Sequence, residues 1–81
     1  MVLCEGIVGG VYKIVKIDLE TNVKRRFEIL GLTHNSKVTV LNSKKSGTKI
    51  IKVRGTRFAV GSDFACNIYV EECLGRGDDD K

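Results

Sequence analysis

The chain has 81 residues, 42% of them apolar and 30% charged, with nine glycines, no proline and a formal charge of +4. A chain this long makes one domain with a small core, burying roughly 60–65% of its unfolded surface. The composition excludes a disulfide-framework mini-protein, since Cys4, Cys66 and Cys73 are odd in number and widely spaced, and it excludes a membrane-spanning helix, since no apolar run approaches the ~20 residues required.

The basic excess favours anionic partners, although an excess of this size also serves solubility alone. The N-terminus lacks the basic and apolar regions of a signal peptide, so the expected setting is the cytoplasm, with reduced thiols. One domain is expected over residues 1–75. Arg76–Lys81 reads as a flexible acidic tail holding three of the ten acids.

In chain order, the first element is a strand over Val11–Asp18, rich in β-branched residues and entered from Gly9-Gly10. Its alternation slips at Ile14-Val15, which predicts a bulge or burial on both faces. Leu19–Asn22 reads as a turn in which Thr21 or Asn22 caps a helix over Val23–Leu30. Val23, Phe27 and Leu30 lie at i, i+4 and i+7, one apolar face. Gly31 fits the left-handed stop, and Leu32 is expected to fold back on Phe27.

Strands are expected over Lys37–Asn42, with Val38 and Val40 on one face, and over Thr48–Arg54, with Ile51 and Val53 on one face. Ser43–Gly47 is the hairpin tip between them. Gly55-Thr56 should turn the chain into Arg57–Val60, where Phe58 and Val60 point the same way. Ser62-Asp63 is placed to cap one helical turn over Phe64–Asn67, and Ile68–Glu71 supplies a last strand. Five short strands, one short helix and one helical turn point to a mostly β fold, a small barrel whose last strand protects the edges.

The order strand, Arg25-Arg26, Gly31-Leu32, alternating strand, Val53-Arg54-Gly55, then Ala65, Ile68 and Val70 resembles the FeoA family over Gly10–Val70. Ser36 and Val38 match that family's strand entry, while His34-Asn35 stands where the family often has Pro-Gly. Asn tolerates the left-handed turn that Gly would adopt. The resemblance implies an SH3-like barrel and a non-catalytic accessory role in bacterial ferrous iron transport. It also implies a partner, the FeoB permease with its cytoplasmic GTP-binding domain.

The side chains offer several candidate sites. Lys24, Arg25 and Arg26 are expected in the first helical turn, where the dipole disfavours cations by roughly 0.3–1 kcal/mol each. A broken local rule often marks function, so Arg25 and Arg26 are the first candidates for partner contact. The plainer alternatives are apolar coverage by the arginine stems and pairing with Glu20 or Glu28. Arg54 and Arg57, with Lys52, are further candidates, or else a charged sheet edge that discourages aggregation.

His34 and the three cysteines are suitable ligand types for a transition metal. No local spacing makes them a site, and no cofactor is expected. Cys66 faces either the barrel or solvent. Two further readings stay open: a nucleic-acid-binding barrel, weakened by the few exposed aromatics, and a metal-binding or sensing domain. No catalytic motif is present.

Overall fold

A computed structural model describes residues 1–73. The acidic segment Arg76–Lys81 and the expected domain end at residue 75 lie outside the described residues. A 3-10 turn, Leu3–Glu5, precedes β1 (Val11–Ile17), α1 (Thr21–Ile29), β2 (Lys37–Ser43), β3 (Lys49–Val53), β4 (Thr56–Val60), α2 (Ser62–Ala65) and β5 (Ile68–Glu72). The strands form one antiparallel sheet in the order β4-β3-β2-β1-β5.

The expected bulge is present. Register in the β1–β5 ladder shifts between Ile14 and Lys16. A strict period of two would turn Lys16 inward after Tyr12 and Ile14. The extra residue instead sends Lys16 to solvent and Ile17 into the core. A second shift, between Val40 and Asn42, leaves Asn42 exposed where strict alternation after buried Val38 and Val40 would turn it inward.

The core joins Leu3, Tyr12, Ile14, Ile17, Phe27 and Leu32 to the inward residues of β2, β3, β4 and β5. Tyr12 lies beneath the Gly6–Gly10 loop, where its hydroxyl accepts a hydrogen bond from the Ile7 N–H at 3.0 Å. A Cβ at Gly10 would sit 2.7 Å from that hydroxyl oxygen, so the loop can cover the ring only without one.

The sheet does not close. β4 and β5 remain at opposite ends of the strand order, so the fold is barrel-like rather than a sealed barrel. The expected edge protection by β5 is therefore corrected. The N-terminal segment lies along β5 instead, through a Val2–Tyr69 bridge and a hydrogen bond from the Val70 N–H to the Met1 carbonyl at 2.8 Å.

Several local expectations also shift. The helix begins at Thr21, two residues early, so neither Thr21 nor Asn22 caps it; Glu20 holds the cap position without a side-chain hydrogen bond. Ser62 likewise falls inside α2, behind Gly61 as cap. The first hairpin tip is displaced by one residue, with Lys44 and Thr48 paired across it and Thr48 outside β3. The second turn is Arg54-Gly55 rather than Gly55-Thr56, because Val53 pairs with Thr56.

The glycine stop follows expectation, although the helix itself ends at Ile29 with Leu30 as its cap. Gly31 has φ 107°, its N–H bonds the Glu28 carbonyl at 3.0 Å, and the Leu32 N–H bonds the Phe27 carbonyl at 2.9 Å. Those two bonds are the Schellman pattern. Leu32 is buried, whereas Leu30, expected on the apolar face, is 42% exposed.

Candidate functional site

The helix start determines how the arginines are read. Because α1 runs Thr21–Ile29, Arg25 and Arg26 occupy its middle, and Arg26 belongs to the last turn. A cation there faces the negative end of the dipole, which is favourable. The expectation that both arginines break a dipole rule is thus corrected, because the helix starts at Thr21 rather than Val23.

What α1 does present is an uncovered face. Only Phe27 is buried, and it meets Phe64 of α2 edge to face, with ring centroids 5.6 Å apart. Arg25, Arg26, Ile29 and Leu30 are all exposed, Ile29 to 80%. Arg25 and Ile29 are four apart, as are Arg26 and Leu30, so two ridges each carry a guanidinium followed by an aliphatic residue. The one ion pair among the described residues joins Lys13 and Glu71 at 3.8 Å, so Glu20 and Glu28 neutralise neither arginine.

The structure brings Arg54 to the same helix. Arg54 and Gly55 both have positive φ, 53° and 82°, in a two-residue hairpin loop. This is the type I′ pattern, which usually takes Asn or Gly at the first position. A Cβ on Gly31 would lie 3.2 Å from Arg54 Cδ, so the Arg54 stem crosses the helix stop. Its charge therefore lies at the C-terminal end of α1, where the dipole welcomes it.

Arg57 is placed elsewhere, on edge strand β4, directly opposite Lys52. Both side chains are exposed and share a sheet face. Directly opposed like charges destabilise a ladder, so this pair, not the helix start, is an electrostatic irregularity of the basic surface.

His34 occupies an exposed turn, as expected, and Asn35 beside it adopts φ 72°. His34 shares a cleft of about 190 Å³ with Lys16, Lys24 and Glu28. Ser36 fixes this turn: its hydroxyl donates to the Gly31 carbonyl at 2.9 Å and accepts from the Thr33 N–H at 3.2 Å. Among the described residues no group of three or more His, Cys, Asp or Glu side chains is disposed to hold a metal ion.

Two features escaped the sequence. Lys49 is only 7% exposed, and its ammonium donates to the Gly6 carbonyl and to Ser43 Oγ, each at 2.9 Å. Its parity with Ile51 and Val53 was the available signal. The second is the approach of Cys66 Sγ to Cys4 Sγ, 2.8 Å across 62 residues of chain, which no local spacing announces. Cys66 itself faces solvent.

The FeoA domain family matches the chain over residues 1–72. The chain belongs to the FeoA family. Solved FeoA structures agree. The Chlorobium tepidum FeoA protein superposes with a TM-score of 0.86 at 26% identity, covering 94% of this chain and 73% of that one. A FeoA crystal structure described as an iron uptake regulatory protein gives 0.82 at 32% identity, covering 90% and 97%.

The zinc-complexed Stenotrophomonas maltophilia FeoA, described as an SH3 domain protein, gives 0.75 at 25% identity, covering 88% and 89%. A manganese-dependent transcriptional repressor shares the fold, with a TM-score of 0.80 at 21% identity. No curated protein sequence matches. No helix among the described residues of this FeoA chain is long and apolar enough to cross a membrane.

Proposed function

We propose that this FeoA protein is a non-catalytic accessory factor of ferrous iron transport that docks on the cytoplasmic GTP-binding part of a FeoB permease. The observation that carries this reading is the face of α1. It sets Arg25 and Arg26, which have no ion-pair partner among the described residues, beside exposed Ile29 and Leu30, and Arg54 stands at its C-terminal end. A surface of arginine beside aliphatic groups suits an acidic patch with an apolar centre, since arginine can make forked bonds to carboxylates while Ile29 is desolvated. The description of the Stenotrophomonas protein as a candidate ferrous iron transport activating factor supports the same role. Arg57 belongs to the contact as an outlying charge.

The test is an NMR titration of the protein with the GTP-binding domain of the permease. Shifts should cluster on Arg25, Arg26, Ile29, Leu30 and Arg54. The double variant Arg25→Glu/Arg26→Glu should stay folded and lose at least tenfold in affinity. Shifts confined to the β2–β3 hairpin, or unchanged affinity in the folded double variant, would refute this surface.

A further inference from the structure

The contact between Cys4 and Cys66 is tertiary. Cys4 lies in the 3-10 turn, and Cys66 closes α2. Their sulfurs are 2.8 Å apart, in thiol–thiol contact. Closing that gap to the about 2.05 Å of a disulfide requires sulfur movement of well under a bond length. Charged groups bear on the pair from two sides. The Lys49 ammonium of β3, held on the Gly6 carbonyl, favours the Cys4 thiolate, and Glu5 disfavours it.

We propose that Cys4 and Cys66 form a reversible dithiol–disulfide site that pins the N-terminal segment against α2 and the β5 edge. The co-reactant is a low-molecular-weight disulfide. Exposed Cys66 reacts first: its thiolate attacks one sulfur of that disulfide, forms a mixed disulfide and expels one thiolate. Cys4 then loses its proton to solvent, attacks Cys66 Sγ and expels the second thiolate. Two protein thiols are oxidised to one disulfide, and the external disulfide is reduced to two thiols.

The order follows from the surroundings. Burial, then the hydrogen bond and charge of Cys66 and the charge of Glu5, push the Cys4 thiol up to about 11, so at neutral pH it is the resolving partner. The bond would tie the 3-10 turn to α2. It would thereby secure the Val2–Tyr69 bridge and the Met1–Val70 hydrogen bond that cover β5.

The full chain, reduced and then treated with oxidised glutathione, tests this. Peptide mapping should find a Cys4–Cys66 link with loss of two hydrogen atoms. The thermal midpoint should rise by on the order of 10 °C, since the bond closes a long loop. Exchange of the Val70 amide should slow, and dithiothreitol should reverse all three changes. Cys73→Ser should behave as the parent, whereas Cys66→Ser should lose the link and the shift. Arrest at mixed disulfides, a link through Cys73, or a Cys4–Cys66 link that leaves both the midpoint and Val70 exchange unchanged would overturn the proposal.

Discussion

Arg54 combines a left-handed backbone with a side chain laid over the helix stop. Non-glycine residues pay roughly 1–2 kcal/mol for that conformation, Asn much less. Arg54→Asn should therefore stabilise the fold by about 0.5–1 kcal/mol in urea titrations while weakening partner binding; a loss of stability would show that the Arg54 stem contributes more by packing than its backbone costs. Gly31→Ala tests the other side of the contact. It combines φ 107° with a 3.2 Å approach to Arg54 Cδ, so it should cost about 1–2 kcal/mol. Cys4 adds a pH dependence. Its thiol titrates near 11 when folded against 9.0 in its ordinary state. The folded chain then holds the proton that the unfolded chain releases. The contribution is fully present below pH 9 and is lost as pH rises towards 11. Unfolding midpoints measured in reductant across that window should fall, and Cys4→Ser should flatten the decline.

At the scale of elements, α1 is anchored by few residues. Phe27→Ala should cost about 3–5 kcal/mol, since it empties the place between the sheet and Phe64. Ile29→Lys should leave stability within about 0.5 kcal/mol because that side chain covers nothing, and its effect should appear only in partner affinity. On the β3–β4 hairpin, Arg57→Glu would replace a like-charge pair with an opposite one across from Lys52. A gain of about 0.2–1 kcal/mol is expected in urea titrations, together with weaker docking. The helix phase was legible from Val23 and Phe27, and its end from Gly31-Leu32. Its beginning was not, because Thr and Asn at residues 21 and 22 suit a cap and a first turn almost equally, and only the Glu20 backbone decides between them.

Across the whole molecule, the open sheet depends on the N-terminal segment. Leu3 is fully buried, and the backbone around it lines β5. Leu3→Ala should cost about 2–5 kcal/mol and speed amide exchange at Val70, a coupling that a closed barrel would not show. The sequence by itself determined the strand order along the chain, the bulge in β1, the glycine stop and the inward pairs Val38 and Val40 of β2 and Ile51 and Val53 of β3. These depend on a period of two, on β-branched composition and on glycine's freedom at positive φ, all of which are local. Tertiary structure alone decided that the sheet stays open, that the Lys49 ammonium meets the Gly6 carbonyl, that Arg54 meets α1 and that Cys4 meets Cys66. Each of these pairs groups from distant parts of the chain, and no spacing along a chain records which of its separated segments will pack together.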